Sequence, residues 1–353
     1  MKFLKSFLLA TLCFTLPLVI TNIAFAKVYN WQIAESWSKH NSELNTASRL
    51  MIRYAKELSN GQLNITAVGN EDLPTSSDIF DLVKNNSYQM GHASSSFWQD
   101  KDKNMLFFSS LPFGMINPEM QAWFYEGDGL QLMEKVYSKH GLLSFPGGSF
   151  DTQMGGWFKQ PINSVNDLKG LRMRVTGVAA DILKDLGVNV INSSSEQLFI
   201  DFKSGKIDAA TWNGPSLDTN MRFAEIANYY YTAWHEPSAE LQFLINQSAY
   251  DSLPDSLKYV LTTAMRLAAY DTYTQVKHNN ALKLKELKKK FPLTKIQAFP
   301  TNVMTAFKNS TNKKMQSLAS RGGLTAEILS SLTNYQKQVR LWTRIGDQAY
   351  LNN

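Results

Sequence analysis

The chain has 353 residues, 12% of them aromatic and 19% charged, so it is long enough to bury the cores of one or two domains. Its formal net charge is only +6, which argues against a nucleic-acid partner and fits a surface that slightly favours anions. Cys13 is the single cysteine, which excludes an intrachain disulfide and a cysteine metal site.

The N-terminus has the pattern of a secretory signal peptide. Lys2 and Lys5 form a positive segment, and residues 7–19 are largely apolar. The triplet Ala-Phe-Ala ending at residue 26 fits the specificity of a signal peptidase. We therefore predict that residues 1–26 are a signal peptide that is removed on export.

Two alternatives for this segment are weaker. Thr15 and Pro17 interrupt the apolar run, which is then shorter than the roughly 20 residues that span a bilayer, so a retained membrane anchor is disfavoured. Leu12 precedes Cys13 where a lipoprotein signal needs a small residue. We expect export to the periplasm without a lipid anchor.

The first part of the exported chain alternates strands with helices. We predict strands over 29–34, 62–68 and 88–93. Apolar residues recur at helical spacing over 44–58, and Ser77 is expected to cap a short second helix. Such alternation predicts a mostly parallel sheet that is covered by helices.

A second unit has the order β-α-β-α-β. Its strands are predicted over 171–175, 188–191 and 207–212. Its helices are predicted over 177–186 and 196–203, the second one capped by one of the serines at 193–195.

The longest predicted helix covers residues 254–291, with a capping box formed by Ser252 and Asp255. At about 1.5 Å per residue it would be roughly 57 Å long, which exceeds one lobe of this size. We therefore expect it to run across two lobes. Its lysine-rich end is expected to be a solvated face.

The C-terminal segment has one apolar stripe at helical spacing. Its members are Leu329, Leu332, Tyr335, Val339, Trp342, Ile345 and Ala349. The residues alone leave two alternatives open, packing on the chain's own lobe and packing against a second subunit.

We find no catalytic constellation in the sequence. His235-Glu236 begins like a zinc-protease motif, but Ala239 stands where the second histidine is needed, and Pro237 breaks the required helix. We therefore predict that the chain is not an enzyme.

Polar groups instead follow the predicted strands of the second unit. Arg174 precedes a helix start at residues 176–177, where its guanidinium can bind a carboxylate through two parallel hydrogen bonds. A surface ion pair is the alternative. Residues 211–215, Thr-Trp-Asn-Gly-Pro, end a strand with hydrogen-bonding side chains and an aromatic wall, although an ordinary turn has the same pattern.

Several motifs resemble the substrate-binding subunits of TRAP transporters, and are most similar to the branch that binds 2-oxo acids and related monocarboxylates. The most specific is Gln-Met-Gly-Gly-Trp-Phe at 153–158, followed by Asp-Leu-Lys-Gly-Leu-Arg-Met-Arg at 167–174. Further similarity lies at residues 111–114, 121–125, 208–215 and 229–236.

The resemblance implies an α/β fold of the periplasmic binding protein type, with two lobes, a cleft between them, a long helix that spans both, and a C-terminal helical extension. Residues 27–150 with about 238–275 would form one lobe, and residues 151–237 with about 276–325 the other. Residues 326–353 would form a dimerisation helix.

The resemblance also implies a ligand site in the cleft. Arg174 would hold the substrate carboxylate, with Gln153, Trp212, Asn213 and His235 as further substrate-binding residues. A sodium or calcium ion would bridge protein and substrate. Its ligands would be Gln153, Thr211, the Trp212 carbonyl and Glu236.

Three residues, Thr211, Asn213 and His235, depart from the pattern of this branch. Asn213 is unusual there, although an Asn near this position contacts the substrate carboxylate in other TRAP binding proteins. Thr211 replaces a usually acidic residue, which leaves Glu236 as the only charged metal ligand and favours sodium, or no metal, over calcium. His235 replaces an aromatic residue, which opens the choice of substrate beyond pyruvate.

The expected function is therefore capture of a small organic acid in the periplasm and its delivery to TRAP membrane subunits, by a homodimer. The alternative is a secreted enzyme or a sensory ligand-binding subunit on the same fold.

Overall fold

A computed structural model describes residues 27–40, 43–73 and 79–353. They form two β-sheets with helices, as the sequence predicts. The predicted signal peptide and the predicted cap Ser77 lie outside the described residues. None of the helices in the described ranges has the length and apolar character needed to span a bilayer.

The first sheet has five strands. They are Tyr29–Glu35 (β1), Leu63–Val68 (β2), Met90–Ala93 (β3), Leu142–Ser149 (β4) and Glu240–Asn246 (β10). Their spatial order is β2-β1-β3-β10-β4. β1 runs parallel to both of its neighbours, whereas β10 runs antiparallel to β3 and β4.

The second sheet has six strands. They are Gly156–Phe158 (β5), Arg172–Arg174 (β6), Asn189–Val190 (β7), Ala209–Ala210 (β8), Tyr229–Tyr231 (β9) and Lys295–Gln297 (β11). Their spatial order is β11-β9-β5-β8-β6-β7, with β6 parallel to both β7 and β8.

Helices connect these strands. The α-helices of the described residues are Thr46–Leu58 (α1), Ile79–Lys84 (α2), Asn117–Glu126 (α3), Gly129–Tyr137 (α4), Gly177–Asp185 (α5), Ser195–Ser204 (α6), Pro215–Asn220 (α7), Gln247–Asp251 (α8), Asp255–Lys290 (α9), Thr301–Ala319 (α10), Gly323–Thr343 (α11) and Ala349–Leu351 (α12). The predicted helix that ends near residue 58 and the two predicted helices of the second unit are confirmed.

Each sheet is buried on both faces. Successive side chains of a strand point to opposite sides, so neighbouring residues enter different apolar clusters. On β1, Ile33 packs into one apolar cluster and Ala34 into another. On β5, Trp157 and Phe158 divide in the same way between two further clusters. The molecule therefore consists of two three-layered lobes, the two-lobed architecture that the sequence predicts.

The chain passes between the sheets through two adjacent segments, from β4 to β5 and from β9 to β10. They are hydrogen-bonded to each other: the Phe150 amide donates to the Ala239 carbonyl at 3.2 Å, and the Gln153 amide donates to the Glu236 carbonyl at 2.9 Å. Asp151 and Ala239 have φ angles of +61° and +42°, a region that side-chain-bearing residues rarely adopt.

The helix α9 is a third connection between the lobes. Its 36 residues correspond to about 54 Å, and it packs against α1 and β4 in the first lobe and α7 in the second. The predicted capping box is wrong: Pro254 is the N-cap and provides no side-chain hydrogen bond. The Ser252 hydroxyl instead donates to the Ala249 carbonyl at 2.6 Å, so it closes the preceding turn.

The C-terminal stripe divides into two parts. Leu329 and Leu332 on α11 are buried in the core of the first lobe, and Tyr335 and Val339 pack partly against it. Beyond them the same side of the chain is open to solvent, with Trp342 66% exposed and Ile345 73% exposed. The intramolecular alternative therefore holds for the first half of the stripe only.

Glu240, at the start of β10, gives a testable pH dependence. It is 1% exposed, and burial raises its pKa to about 8. Because this pKa lies above the ordinary value of 4.5, the folded protein binds the proton more tightly than the unfolded chain does. The stabilisation from Glu240 is therefore complete below about pH 4.5 and is lost as the pH rises towards 8.

We expect the melting temperature of the wild-type protein to fall between pH 5 and 8 more steeply than that of Glu240→Gln, which has no titrating group at this position. Differential scanning calorimetry at several pH values measures both slopes. Glu57→Gln, an exposed position on α1, is the control and should keep the wild-type slope. Parallel slopes for wild type and Glu240→Gln would show that this carboxyl does not carry the effect.

Candidate functional site

The candidate site lies at the carboxyl ends of β6 and β8, which are adjacent and parallel. Arg174 pairs with Ala210, so both strands end at the same level of the sheet. β8 stops two residues short of the predicted end at residue 212. Only the Thr211 amide continues the pairing, by donating to the Arg174 carbonyl at 3.0 Å, and the following residues leave the sheet.

Arg174 is held in place by neutral groups. Its Nη1 donates to the Thr211 carbonyl at 2.9 Å, and its guanidinium carbon lies 5.1 Å from the centre of the Trp212 ring. Nε and Nη2 donate to no described residue, so two donors remain free. Burial lowers the pKa of Arg174, and the Glu236 carboxylate acts in the opposite direction. Such a partly compensated cation favours an anionic ligand.

Gln153 joins the two sides of the site. Its Nε2 donates to Asn213 Oδ1 at 3.0 Å and to Glu236 Oε2 at 2.9 Å. The Met154 amide also donates to the Asn213 carbonyl at 2.9 Å. The segment that follows β8 is therefore bonded directly to one crossing segment and, through Gln153, is linked to the other.

Glu236 is a half-buried carboxyl with little compensating charge. Burial raises its pKa to about 7, while Arg174 acts to lower it. Its Oε1 faces the start of α5, where a Cβ built on Gly177 would lie 3.7 Å away. A nearby cation would keep Glu236 ionised at neutral pH.

The oxygen atoms around Glu236 have the chemistry that a hard cation requires. Glu236 Oε1, Gln153 Oε1 and the Trp212 carbonyl accept no hydrogen bond from any residue that the structure describes. No group of three or more His, Cys, Asp or Glu that could hold a metal occurs among the described residues, so transition-metal sets are not represented there. A carboxylate with neutral oxygen ligands fits sodium or calcium.

No hydrogen bond, ion pair or ring contact among the described residues joins the His235 side chain to another predicted site residue. His235 is 1% exposed, and neither ring nitrogen has a hydrogen-bond partner there. Its ring lies 5.3 Å from that of Trp234, and burial lowers its pKa to about 4, so the imidazole is neutral at physiological pH.

Each of the remaining predicted site residues contacts at least one other. They are Gln153, Arg174, Thr211, Trp212, Asn213 and Glu236. Thr211 takes part through its carbonyl, which accepts the hydrogen bond from Arg174, and its hydroxyl makes no hydrogen bond with a described residue.

A cavity of about 310 Å³ lies beside Arg174. Its wall also contains Asn192, Ser193 and Ser194, which follow β7 at the same edge of the sheet. The serines were predicted only as helix caps, and Ser194 does cap α6 by accepting a hydrogen bond from the Gln197 amide at 3.4 Å. These residues follow β7, the strand next to β6, and this position in the sequence could have predicted that they line the cavity.

Trp37 is a first-lobe residue that sequence analysis did not single out. It packs, together with Trp212, against an apolar cluster that includes Leu44 from the first lobe and Leu217 from the second. Two tryptophans from opposite lobes thus border the same apolar cluster between the sheets. Nothing in the local sequence around Trp37 predicts that contact.

A larger cavity of about 510 Å³ lies elsewhere, between α7 and the C-terminal end of α9. Its wall contains none of the predicted site residues. It is therefore separate from the group around Arg174.

The chain is similar to known proteins over most of its length. Residues 33–321 match the family model described as "Bacterial extracellular solute-binding protein, family 7". The match covers most of the chain, and the protein therefore belongs to this family of solute-binding proteins.

Individual relatives match over nearly the full length. A curated relative from Nostoc, a monocarboxylate 2-oxoacid-binding periplasmic protein, is 31% identical over 91% of this chain and 88% of its own. A TRAP periplasmic solute-binding protein from Colwellia psychrerythraea, solved with calcium and pyruvate, is 46% identical with a TM-score of 0.90 over 93% of this chain and 100% of its own. One from Pseudoalteromonas atlantica, solved with sodium and pyruvate, is 46% identical with a TM-score of 0.89 over 93% and 99%.

Proposed function

We propose that this chain binds a small 2-oxo acid or a related monocarboxylate in the periplasm and delivers it to the membrane subunits of a TRAP transporter. The observation that carries the proposal is Arg174, a fixed guanidinium with two free donors at the carboxyl edge of the second sheet, beside a cavity. The pyruvate-bound relatives support the substrate class.

In this proposal the substrate carboxylate accepts two hydrogen bonds from Arg174, which a planar fork provides with defined orientation. Trp212, stacked near the guanidinium, forms an apolar wall beside the ligand. Asn213 Nδ2 donates to no described residue and is available to a second substrate oxygen, such as the 2-oxo group.

We propose that Gln153, the Thr211 hydroxyl, the Trp212 carbonyl and Glu236 hold a sodium or calcium ion. When bound, the ion offsets the repulsion between the Glu236 carboxylate and the substrate carboxylate. The sodium-containing relative and the calcium-containing relative support both ions equally. With Glu236 as the only charged ligand, sodium is favoured here.

Two further parts of the proposal concern location and organisation. A periplasmic location is supported by the signal-peptide pattern of residues 1–26 and by the extracellular solute-binding family. We propose that residues 27–150 with 238–275 form one lobe and residues 151–237 with 276–325 the other, because the connections between the two sheets fall near these limits.

We propose that residues 326–353 mediate a homodimer. Leu341, Trp342, Ile345, Tyr350 and Leu351 are each at least 66% exposed, and they follow one another at the end of the chain. An apolar segment of this kind is costly to leave in water and is typical of an interaction surface. Exchange of an identical element between two copies would cover both segments.

The role of Arg174 predicts that Arg174→Ala weakens pyruvate binding by about 2–5 kcal/mol, since the substrate charge loses its partner. Arg174→Lys should restore only part of the affinity, because lysine lacks the planar fork. Isothermal titration calorimetry measures both. The control is Arg172→Ala on the same strand, whose side chain is exposed and pairs with Asp208, and it should leave the affinity unchanged. Normal binding by Arg174→Ala would contradict the role.

The cation predicts that pyruvate binds more weakly in buffer that lacks sodium and contains a calcium chelator. Glu236→Gln keeps the side-chain size but removes the charge, and its affinity should no longer respond to added ions. Thr211→Glu should increase the dependence on calcium, because it adds a charged ligand. Calorimetry in choline, sodium and calcium buffers tests this. Affinity that is the same in all three buffers, for wild type and Glu236→Gln, would rule out the ion.

The dimer predicts that the double variant Trp342→Glu/Ile345→Glu is a folded monomer, because both residues are exposed within one chain. Light scattering after size-exclusion chromatography should give twice the chain mass for the wild type and one chain mass for the variant. Leu293→Glu, at a residue that is 82% exposed elsewhere, is the control and should remain dimeric. A wild-type mass of one chain would refute the dimer.

A further inference from the structure

Asp218 lies directly behind the ligand-site segment 211–214, on α7. Its side chain is 1% exposed, and its two oxygens accept hydrogen bonds from three donors. Oδ1 accepts from the Asn213 amide at 2.8 Å. Oδ2 accepts from Trp157 Nε1 at 3.0 Å and from the Tyr230 hydroxyl at 2.7 Å.

These contacts connect a rigid part of the second lobe to the site. Trp157 on β5 and Tyr230 on β9 are fully buried and stack on each other with ring centres 4.1 Å apart. Through its hydrogen bond with the Asn213 amide, Asp218 holds the Asn213 backbone at a fixed position relative to these two rings. Asn213 in turn accepts a hydrogen bond from Gln153, which donates to Glu236 as well.

We propose that Asp218 is a positioning residue for ligand binding: by holding the Asn213 amide against the Trp157–Tyr230 pair, its carboxylate fixes the Trp212 carbonyl and the Asn213 side chain in the orientation that the ligand needs. Asp218 itself does not contact the ligand. This inference rests on the proposed function, in which Asn213 and Trp212 take part in binding.

The donor types require a carboxylate at this position. A backbone amide and an indole nitrogen can only donate, and each faces a different oxygen of Asp218. Burial raises the pKa of Asp218 to about 6, and it is still ionised at pH 7.5, so both oxygens act as acceptors. In Asp218→Asn the new NH₂ group must face either the Asn213 amide or the Trp157 indole. One of these hydrogen bonds is therefore lost whichever way the side chain is turned.

Tyr230→Phe is the matched control. It removes one hydrogen bond from the same buried carboxylate but leaves the donors from Asn213 and Trp157 in place. A purely structural role of Asp218 predicts that both variants lose affinity in proportion to their loss of melting temperature. The positioning role predicts that they lose similar stability and that only Asp218→Asn loses affinity.

We expect calorimetry with pyruvate at pH 7.5 to show at least a tenfold higher Kd for Asp218→Asn and less than a twofold change for Tyr230→Phe. Melting temperatures measured on the same samples should be lowered in both variants. An unchanged Kd for Asp218→Asn would overturn the inference. So would a Kd for Tyr230→Phe that rises as much as that of Asp218→Asn.

Hydrogen exchange on the ligand-free protein separates this inference from the proposed function. We expect the Asn213 amide to exchange at least tenfold faster in Asp218→Ala, which removes its acceptor altogether, than in wild type and Tyr230→Phe. Equal exchange in the three proteins would overturn the positioning role. If the wild type binds no pyruvate, the proposed substrate class is wrong, and the exchange rates alone decide on Asp218.

Discussion

The hydrogen bond from Arg174 to the Thr211 carbonyl determines the position of the Arg174 positive charge in the second lobe. It fixes the guanidinium to a neutral acceptor, so the positive charge is oriented without being neutralised. The parallel pairing of β6 with β8 brings the two residues to the same level. Had the acceptor been a carboxylate, as it is for Arg172 with Asp208 on the same strand, the site would have little attraction left for an anion.

The same region contains one buried and one half-buried carboxyl group, Asp218 and Glu236, and neither has a close ion pair among the described residues. Asp218 and Glu236 both have a pKa raised by burial, to about 6 and about 7. Asp218 is stabilised by donors that belong to the fold, whereas one oxygen of Glu236 has none among the described residues. This difference separates a carboxylate that organises the protein from one that is available to a ligand or an ion.

Sequence patterns predicted the parts of the fold that depend on interactions between residues close together in the chain. The helix α9 and the strand β1 lie within one residue of their predicted bounds. The grouping of Arg174 with Trp212 follows from the rule that ligands bind outside the carboxyl ends of strands. The capping box at Ser252 failed because a proline occupies the cap and the hydroxyl bonds to its own turn.

Other features depend on contacts between distant residues. Asp218 meets Trp157 and Tyr230, which are 61 and 12 residues away, and no spacing rule relates them. The C-terminal stripe is continuous in sequence, but the first lobe ends beneath it, so only the first half is buried. His235 was assigned to the site from the resemblance alone, because it stands where that branch of the family usually has an aromatic residue, and its ring packs beside that of Trp234.

The two crossing segments give the site a mechanical property. Gln153 lies on one segment and Glu236 on the other, and the hydrogen bond between their side chains joins the two segments. Any rotation of one lobe against the other has to be absorbed by backbone torsions in these segments and in α9. A molecule or ion that bound both side chains would therefore restrain those torsions directly. Binding would then change the angle between the lobes without the involvement of other residues.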